Sequence, residues 1–93
     1  MDAGTEMDVI ALAGTTRAVC AAVLRYRDSR LTDKREFVFH DTTDIEAVRE
    51  EFLPQYYLDG ETIPKTIAVD TLPPDAEALN QALNEARGSK VEL

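Results

Sequence analysis

The sequence predicts a single α/β (α+β) domain with a five-stranded mixed sheet of strand order 3-2-1-4-5. In the first half of the chain, turn residues separate two apolar runs and a third segment in which Phe37 and Phe39 share a face, which is typical of an antiparallel strand meander. The second half alternates helical and strand patterns. The chain has 93 residues, 44% hydrophobic and 30% charged, which is enough for one small core but not for a second full domain.

The predicted meander consists of residues 8–13, 17–27 and 30–40. Asp28 and Ser29 should form the tight turn between the second and third runs, because both residue types are common in turns. Both alternating faces of the first two runs are largely apolar. This pattern indicates central strands that are covered on both sides.

A helix is predicted to begin directly after Thr43, which has the spacing of a capping box with Glu46. Apolar residues then recur at helical spacing over residues 45–56. Pro54 removes one backbone hydrogen bond and clashes with the preceding turn. We therefore expect a kink or a break near Phe52.

The remaining predicted elements are a strand at 66–69, a helix that follows two prolines and ends before Gly88, and a last strand at 90–93. Right-handed crossovers place the fourth strand parallel beside the first, and the fifth beside the fourth. This is the core topology of ribonuclease H-like domains. An arrangement with the fourth strand on the outer edge of the third stays open.

The chain is acidic, with a net charge of -8, which is a poor match for DNA or an anionic membrane. Residues 17–35 are the exception: six bases and two acids give them +4, and the rest of the chain carries -12. This basic hairpin either contacts something anionic or directs its bases towards the domain's own acids. The candidate contact residues for DNA or a partner are Arg25, Arg27, Arg30 and Arg35.

Lysine is scarce, with three residues against seven arginines. An acidic, lysine-poor surface is halophilic-like, because concentrated salt screens charges over a few ångströms and makes such a charge density tolerable. The composition therefore predicts stability that increases with salt.

Few residues could carry catalysis. Asp70 follows the fourth strand, where a ribonuclease H-like nuclease has one carboxylate of its two-metal site, but the middle of the first strand has no acid. Asp8 lies at the start of the first strand, and at ~3.3 Å per residue it is roughly 10 Å from a position in the middle of that strand. Cys20 and His40 are the only residues of their types, which excludes an internal disulfide and a Cys/His zinc site. We expect a non-catalytic domain without cofactor or metal; the alternative is a small metal-dependent nuclease that uses Asp70.

No apolar run is long enough to span a bilayer, and the first residues carry acids where a signal peptide carries bases. We expect a cytoplasmic, monomeric chain without membrane contact. Residues 1–7 are expected to be disordered or to derive from an expression vector.

Three separated motifs resemble one family. They are FLPQYY at 52–57, IPK at 63–65 and GSKVEL at 88–93, and shorter matches at 8–13, 18–20 and 27–31 occur in the same order. With this spacing, residues 8–93 resemble the central region of UvrC, the component of the bacterial UvrABC excinuclease that carries its nucleases. Ser29 stands where the turn in that family more usually has Gly, which puts the geometry of this turn in question.

The resemblance implies a part in nucleotide excision repair and the SOS response to DNA damage, in which UvrC cuts a damaged DNA strand on both sides of the lesion. It implies that residues 8–93 are a central domain of UvrC. Our hypothesis for the role of this domain is that it connects and positions the two nuclease halves of UvrC. The partners would be the other UvrC domains and, through the complete protein, UvrB and damaged DNA. None of the family's catalytic residues matches a position here.

Tyr57 belongs to the first of these motifs and points about 100° away from Tyr56 on a helix. Tyr57 is therefore a further candidate contact for a neighbouring domain, although packing inside the domain is the competing interpretation. A stand-alone protein-interaction domain is the other functional alternative.

Overall fold

Three strands, a helix, a fourth strand and a second helix follow one another along the chain. The computed structural model describes residues 6–40 and 42–93. The elements are β1 (Glu6–Gly14), β2 (Val19–Arg27), β3 (Arg30–Phe39), α1 (Ile45–Leu58), β4 (Thr66–Val69) and α2 (Ala76–Arg87).

The strands form one mixed sheet of order β3-β2-β1-β4. The first three strands are antiparallel to one another, and β4 runs parallel to β1. Val9 of β1 accordingly lies between Leu24 of β2 and Ala68 of β4. The predicted order of the first four strands is confirmed, and the alternative with β4 beside β3 is wrong.

The predicted fifth strand is not present as a strand in the described part of the chain. Residues 90–93 lie beside β4 on its outer side, where they form one parallel bridge between Thr66 and Glu92. Both backbone hydrogen bonds of this bridge are made by Glu92: its carbonyl accepts from Ile67 and its N–H donates to Lys65, each at 2.8 Å. Because a single residue makes both bonds, the segment forms a bridge rather than a ladder.

Strand β1 begins two residues earlier than predicted. Glu6 and Met7 continue the ladder with β2, opposite Arg27 and Tyr26. Hydrogen bonding to β2 extends the strand beyond its apolar run. The expectation of disorder for residues 1–5 lies outside the described residues.

The turn between β2 and β3 consists of Asp28 and Ser29, as predicted, with Arg27 opposite Arg30. Both turn residues have positive φ, 55° and 63°. Positive φ at both central positions is the type I′ hairpin geometry, which glycine and asparagine adopt more readily than serine.

Helix α1 differs from the prediction at both ends. Its N-cap is Asp44 rather than Thr43: the Asp44 carboxylate accepts a 3.2 Å hydrogen bond from the N–H of Ala47. The helix also continues through Pro54 to Leu58 without the predicted break.

Both helices pack on one face of the sheet. Their inward residues join the inward side chains of β1, β2 and β4 in a single apolar core. The core residues include Ile10, Leu12, Val19, Val23, Val48, Phe52, Leu53, Ile67, Leu79 and Leu83. No described element covers the opposite face of the sheet, so the expectation of strands covered on both sides is wrong for residues 6–40 and 42–93.

Candidate functional site

The carboxylate of Asp8 is completely buried, at 0% exposure, on the helix side of the sheet. Its Oδ2 accepts a 2.7 Å hydrogen bond from the hydroxyl of Tyr57 in α1. Its Oδ1 accepts from Arg27 Nη1 at 3.1 Å and from Arg25 Nε at 3.4 Å, both from β2. Each oxygen of the buried acid is thus satisfied by side chains of other elements.

Glu61, in the loop after α1, extends this network. Arg25 donates to Glu61 Oε1 through Nη1 at 2.8 Å and to the carbonyl oxygen of Thr62 through Nη2 at 2.8 Å. Arg35 of β3 donates to the same Glu61 oxygen, to Asp33 at 2.8 Å and to the hydroxyl of Tyr56 at 3.0 Å. We call Asp8, Arg25, Arg27, Arg35, Tyr57 and Glu61 the Asp8 cluster.

The electrostatics of the Asp8 cluster are those of a structural network. Two guanidinium groups face one buried carboxylate, so both charges that approach Asp8 are provided by the domain itself. Burial, together with the hydrogen bond to Asp8, raises the pKa of the Tyr57 hydroxyl, so that it stays protonated. The cluster joins β1, β2, β3, α1 and the loop after α1.

The basic hairpin is consequently less exposed than its charge suggests. Arg25 is only 7% exposed and Tyr57 only 2%, so neither can contact DNA or a partner in this fold. The prediction of surface contacts is wrong for these two residues, because they serve the buried Asp8. Arg27 and Arg35 are partly exposed but are paired with the domain's own acids. Among the predicted contact residues, Arg30 at the turn is exposed.

The other candidate acid, Asp70, directly follows β4 and is paired with a base from α1. Arg49 Nη1 donates to Asp70 Oδ1 at 2.6 Å, and the backbone N–H of Leu12 donates to Oδ2 at 3.2 Å. The Arg49 side chain is only 4% exposed. Its Nε lies 3.6 Å from Glu46 and has no hydrogen-bond partner within residues 6–40 and 42–93. A buried guanidinium therefore faces the carboxylate that a ribonuclease H-like nuclease would direct towards a metal.

Sequence reasoning missed Arg49 entirely. The signal was its position within the apolar period of α1, one turn before the buried Phe52 and Leu53. A charged residue in that phase needs a partner of opposite charge, and Asp70, which directly follows β4, is that partner.

No group of three or more His, Cys, Asp or Glu side chains in residues 6–40 and 42–93 is arranged to hold a metal ion. Cys20 is a free, half-buried thiol on the uncovered sheet face. His40 is exposed at the end of β3 and lines a groove of about 470 Å³ between β3 and α1.

Neither α1 nor α2, the helices of the described part of the chain, combines the length and apolar character that a bilayer crossing requires.

Comparison with known proteins gives a consistent result. Residues 6–93 match the sequence model of the family described as UvrC ribonuclease H-like domain. The chain is 34% identical to the UvrABC system protein C of Frankia casuarinae over 97% of its length and 16% of the relative. It is 37% identical to the protein of the same name from Salinispora arenicola, over 97% of the chain and 14% of the relative.

A third UvrABC system protein C, from Finegoldia magna, is 29% identical over 97% of this chain and 15% of the relative. The chain thus spans about one sixth of the length of the curated relatives it matches. Because the match covers all but the first five residues, the chain belongs to the UvrC ribonuclease H-like domain family.

Proposed function

We propose that this chain is a non-catalytic positioning domain of a longer UvrC protein, the component of the UvrABC excinuclease that makes the dual incision of damaged DNA in nucleotide excision repair. The Arg49–Asp70 pair carries the proposal, because a guanidinium 2.6 Å from Oδ1 competes with a metal for that carboxylate. A hard cation needs several converging oxygens. Asp8, the other candidate, is engaged by Arg25, Arg27 and Tyr57.

The positioning role rests on rigidity. Partly buried ion pairs connect the hairpin to the loop after α1, and α1 to the end of β4, so the domain would move as one body between the nuclease halves of UvrC. Its partners would be the other UvrC domains and, through the complete protein, UvrB and damaged DNA. We place this activity in the cytoplasm, and we expect the isolated, acidic chain to be monomeric.

Cleavage by the isolated chain is the first test. The 93-residue chain, with its fold checked by circular dichroism, is incubated with nicked or lesion-bearing DNA and Mg²⁺ or Mn²⁺. We expect no cleavage. Metal-dependent cutting that is lost in Asp70→Ala but kept in Asp75→Ala, an exposed acid outside the pair, would overturn the proposal in favour of a nuclease.

The positioning role itself is tested by replacing residues 6–93 with a flexible Gly/Ser linker in the complete UvrC protein. Each nuclease half should still cut a simple substrate, while the defined spacing between the two cuts around a lesion should be lost. Unchanged spacing would show that the domain does not position the nucleases.

Arg30 is exposed at the hairpin turn, where its side chain is accessible to DNA or to a partner protein. If Arg30 contacts a phosphate in the complete protein, Arg30→Glu should reduce the slope of log affinity against log salt by roughly 0.9. A loss of affinity for UvrB with unchanged DNA binding would instead assign this residue to a protein contact.

A further inference from the structure

The sheet face opposite the helices is apolar and uncovered by the described residues. Only Lys34 and Glu36 carry charge on it, in a chain that is 30% charged. The other side chains of this face, assigned by strand register, are Met7, Val9, Ala11, Ala13, Cys20, Ala22, Leu24, Tyr26, Leu31, Val38, Thr66 and Ala68. We call these fourteen residues the open face. A sheet face that meets water normally alternates with polar residues, and this one does not.

The shape of the open face is as distinctive as its composition. Small residues stand opposite one another at its centre, with Ala11 facing Ala22 and Ala13 facing Cys20. They leave a mainly apolar trough of about 280 Å³, which Val38 and Glu36 border on β3. Small side chains let another backbone approach closely, so the trough fits bulky aliphatic side chains of a partner.

The charges on the open face and on the rest of the chain argue against two possible occupants of this face, DNA and a second copy of the chain. DNA does not fit, because the one base of the open face, Lys34, is paired with Glu36 at 3.9 Å. A second copy does not fit well either, because each copy carries -8. Because the chain as a whole carries -8, an occupant with basic flanks is attracted to the domain, whereas an acidic one is repelled.

The chain spans about one sixth of the length of its relatives, so most of a protein of their length lies outside this chain. We propose that the open face is the docking surface for an amphipathic helix from another part of the same longer protein, with large aliphatic side chains in the trough and Lys or Arg along its flanks. This inference rests on the proposed function, because it takes the chain to be part of that protein.

Cys20 provides the probe, because it is the chain's only cysteine and lies on the open face. Its rate of alkylation by a maleimide is measured by mass spectrometry of its peptide, in the 93-residue chain and in the complete UvrC protein. We expect the reaction to be slower in the complete protein by about tenfold or more, because a covered thiol reacts only after local opening.

A matched pair of variants makes the test specific. Val38→Glu introduces a charge on the open face, whereas Leu58→Glu introduces the same charge at an exposed site at the end of α1. In the complete protein Val38→Glu should restore the fast alkylation of Cys20, and Leu58→Glu should leave the thiol protected.

Equal alkylation rates in the chain and the complete protein would overturn the inference. So would a 93-residue chain that is already protected and has the mass of a dimer, since a second copy would then be the occupant. Thiol protection is the readout here, whereas cut spacing is the readout for positioning. The helix-docking proposal and the positioning proposal are therefore tested separately, and one can be wrong while the other holds.

Discussion

The hydroxyl of Tyr57 donates a 2.7 Å hydrogen bond to Oδ2 of Asp8, which anchors helix α1 to the first strand. Asp8 is 0% exposed and Tyr57 is 2% exposed, so water cannot replace the bond. The two arginines of β2 bind the other carboxylate oxygen, Oδ1. Tyr57 is therefore the side chain that satisfies Oδ2, and the buried acid depends on it.

We expect Tyr57→Phe to lower the free energy of unfolding by about 1.5–3 kcal/mol, the range for a hydrogen bond to a charged group. The phenylalanine ring fills the same space, so the loss reports the hydroxyl alone. Urea denaturation followed by circular dichroism measures it. Tyr26→Phe, on the open face, is the matched control and should change stability little. Equal losses in the two variants would contradict the role assigned to the bond.

The same bond predicts a dependence on alkaline pH. Burial, reinforced by the hydrogen bond to Asp8, raises the pKa of Tyr57 above its ordinary value of about 10. Because the unfolded chain loses this proton first, the stabilisation is complete below about pH 10 and is lost as the pH rises through the folded-state pKa. The difference in unfolding free energy between the parent chain and Tyr57→Phe should therefore shrink above about pH 10. A constant difference up to about pH 11 would exclude this linkage.

Arg25 should matter far more for stability than its neighbour in the hairpin, Arg30. Arg25→Ala removes a buried partner of Asp8 and the bonds to Glu61 and Thr62. Breaking a buried pair typically costs about 3–5 kcal/mol, because the remaining charge stays buried.

Arg30 is exposed, so Arg30→Ala should stay within about 0.5 kcal/mol of the parent. Thermal and urea denaturation compare the two variants. If Arg25→Ala fails to fold, Arg25→Lys keeps the charge but loses the fork geometry, and it should fall between the parent and the unfolded variant. Similar stabilities for Arg25→Ala and Arg30→Ala would contradict the buried cluster.

The strand order is predictable because it depends on two local rules, the tight turn at residues 28–29 and the right-handed crossover. The pairing of Asp8 with Arg25 is harder to predict, because it depends on the register of β1 against β2. The sequence does contain a clue: Asp8 is in phase with Ile10 and Leu12, which are buried on the same face. A charged residue in an apolar phase indicates a buried partner.

Helix α1 shows where local rules are insufficient. Pro54 predicts a break, yet the helix continues to Leu58. The ring of Pro54 displaces only the carbonyl of Glu50. Glu50 and Glu51 lie on the exposed side of α1, where water can replace the lost hydrogen bond. The buried Phe52 and Leu53 hold the helix against the sheet, so tertiary packing outweighs the local cost of proline.

The hairpin turn offers a stabilising substitution. Ser29 has φ of 63°, a left-handed conformation that costs a residue with a Cβ about 1–2 kcal/mol. Ser29→Gly should relieve this strain and therefore raise the free energy of unfolding. The gain should not exceed about 1 kcal/mol, because the greater entropy of glycine in the unfolded chain offsets part of it. Urea denaturation tests it. Ser89→Gly, at an exposed position without positive φ, should bring no gain, and an equal gain at both sites would exclude relief of turn strain.

Salt should stabilise the domain. The exposed acids outside the basic hairpin repel one another at low ionic strength, and added KCl screens these charges while leaving the buried Asp8–Arg25 pair nearly unaffected. We expect the melting temperature to rise between roughly 0.1 and 2 M KCl, a range over which the Debye length falls well below ~10 Å. A relief of about 1 kcal/mol would correspond to about 4–8 °C for a domain of this size. Differential scanning calorimetry measures it.

Removing exposed acids should reduce this salt effect if repulsion is its cause. The matched variant replaces four exposed helix acids by glutamine: Glu50, Glu51, Glu77 and Glu85. It should melt higher than the parent at low salt and gain less on addition of KCl, because part of the repulsion is already gone. An equal gain in both proteins would indicate a general salt effect on apolar burial. A flat melting temperature in the parent would indicate that the acidity serves a basic partner, such as the flanks of the helix that we propose for the open face.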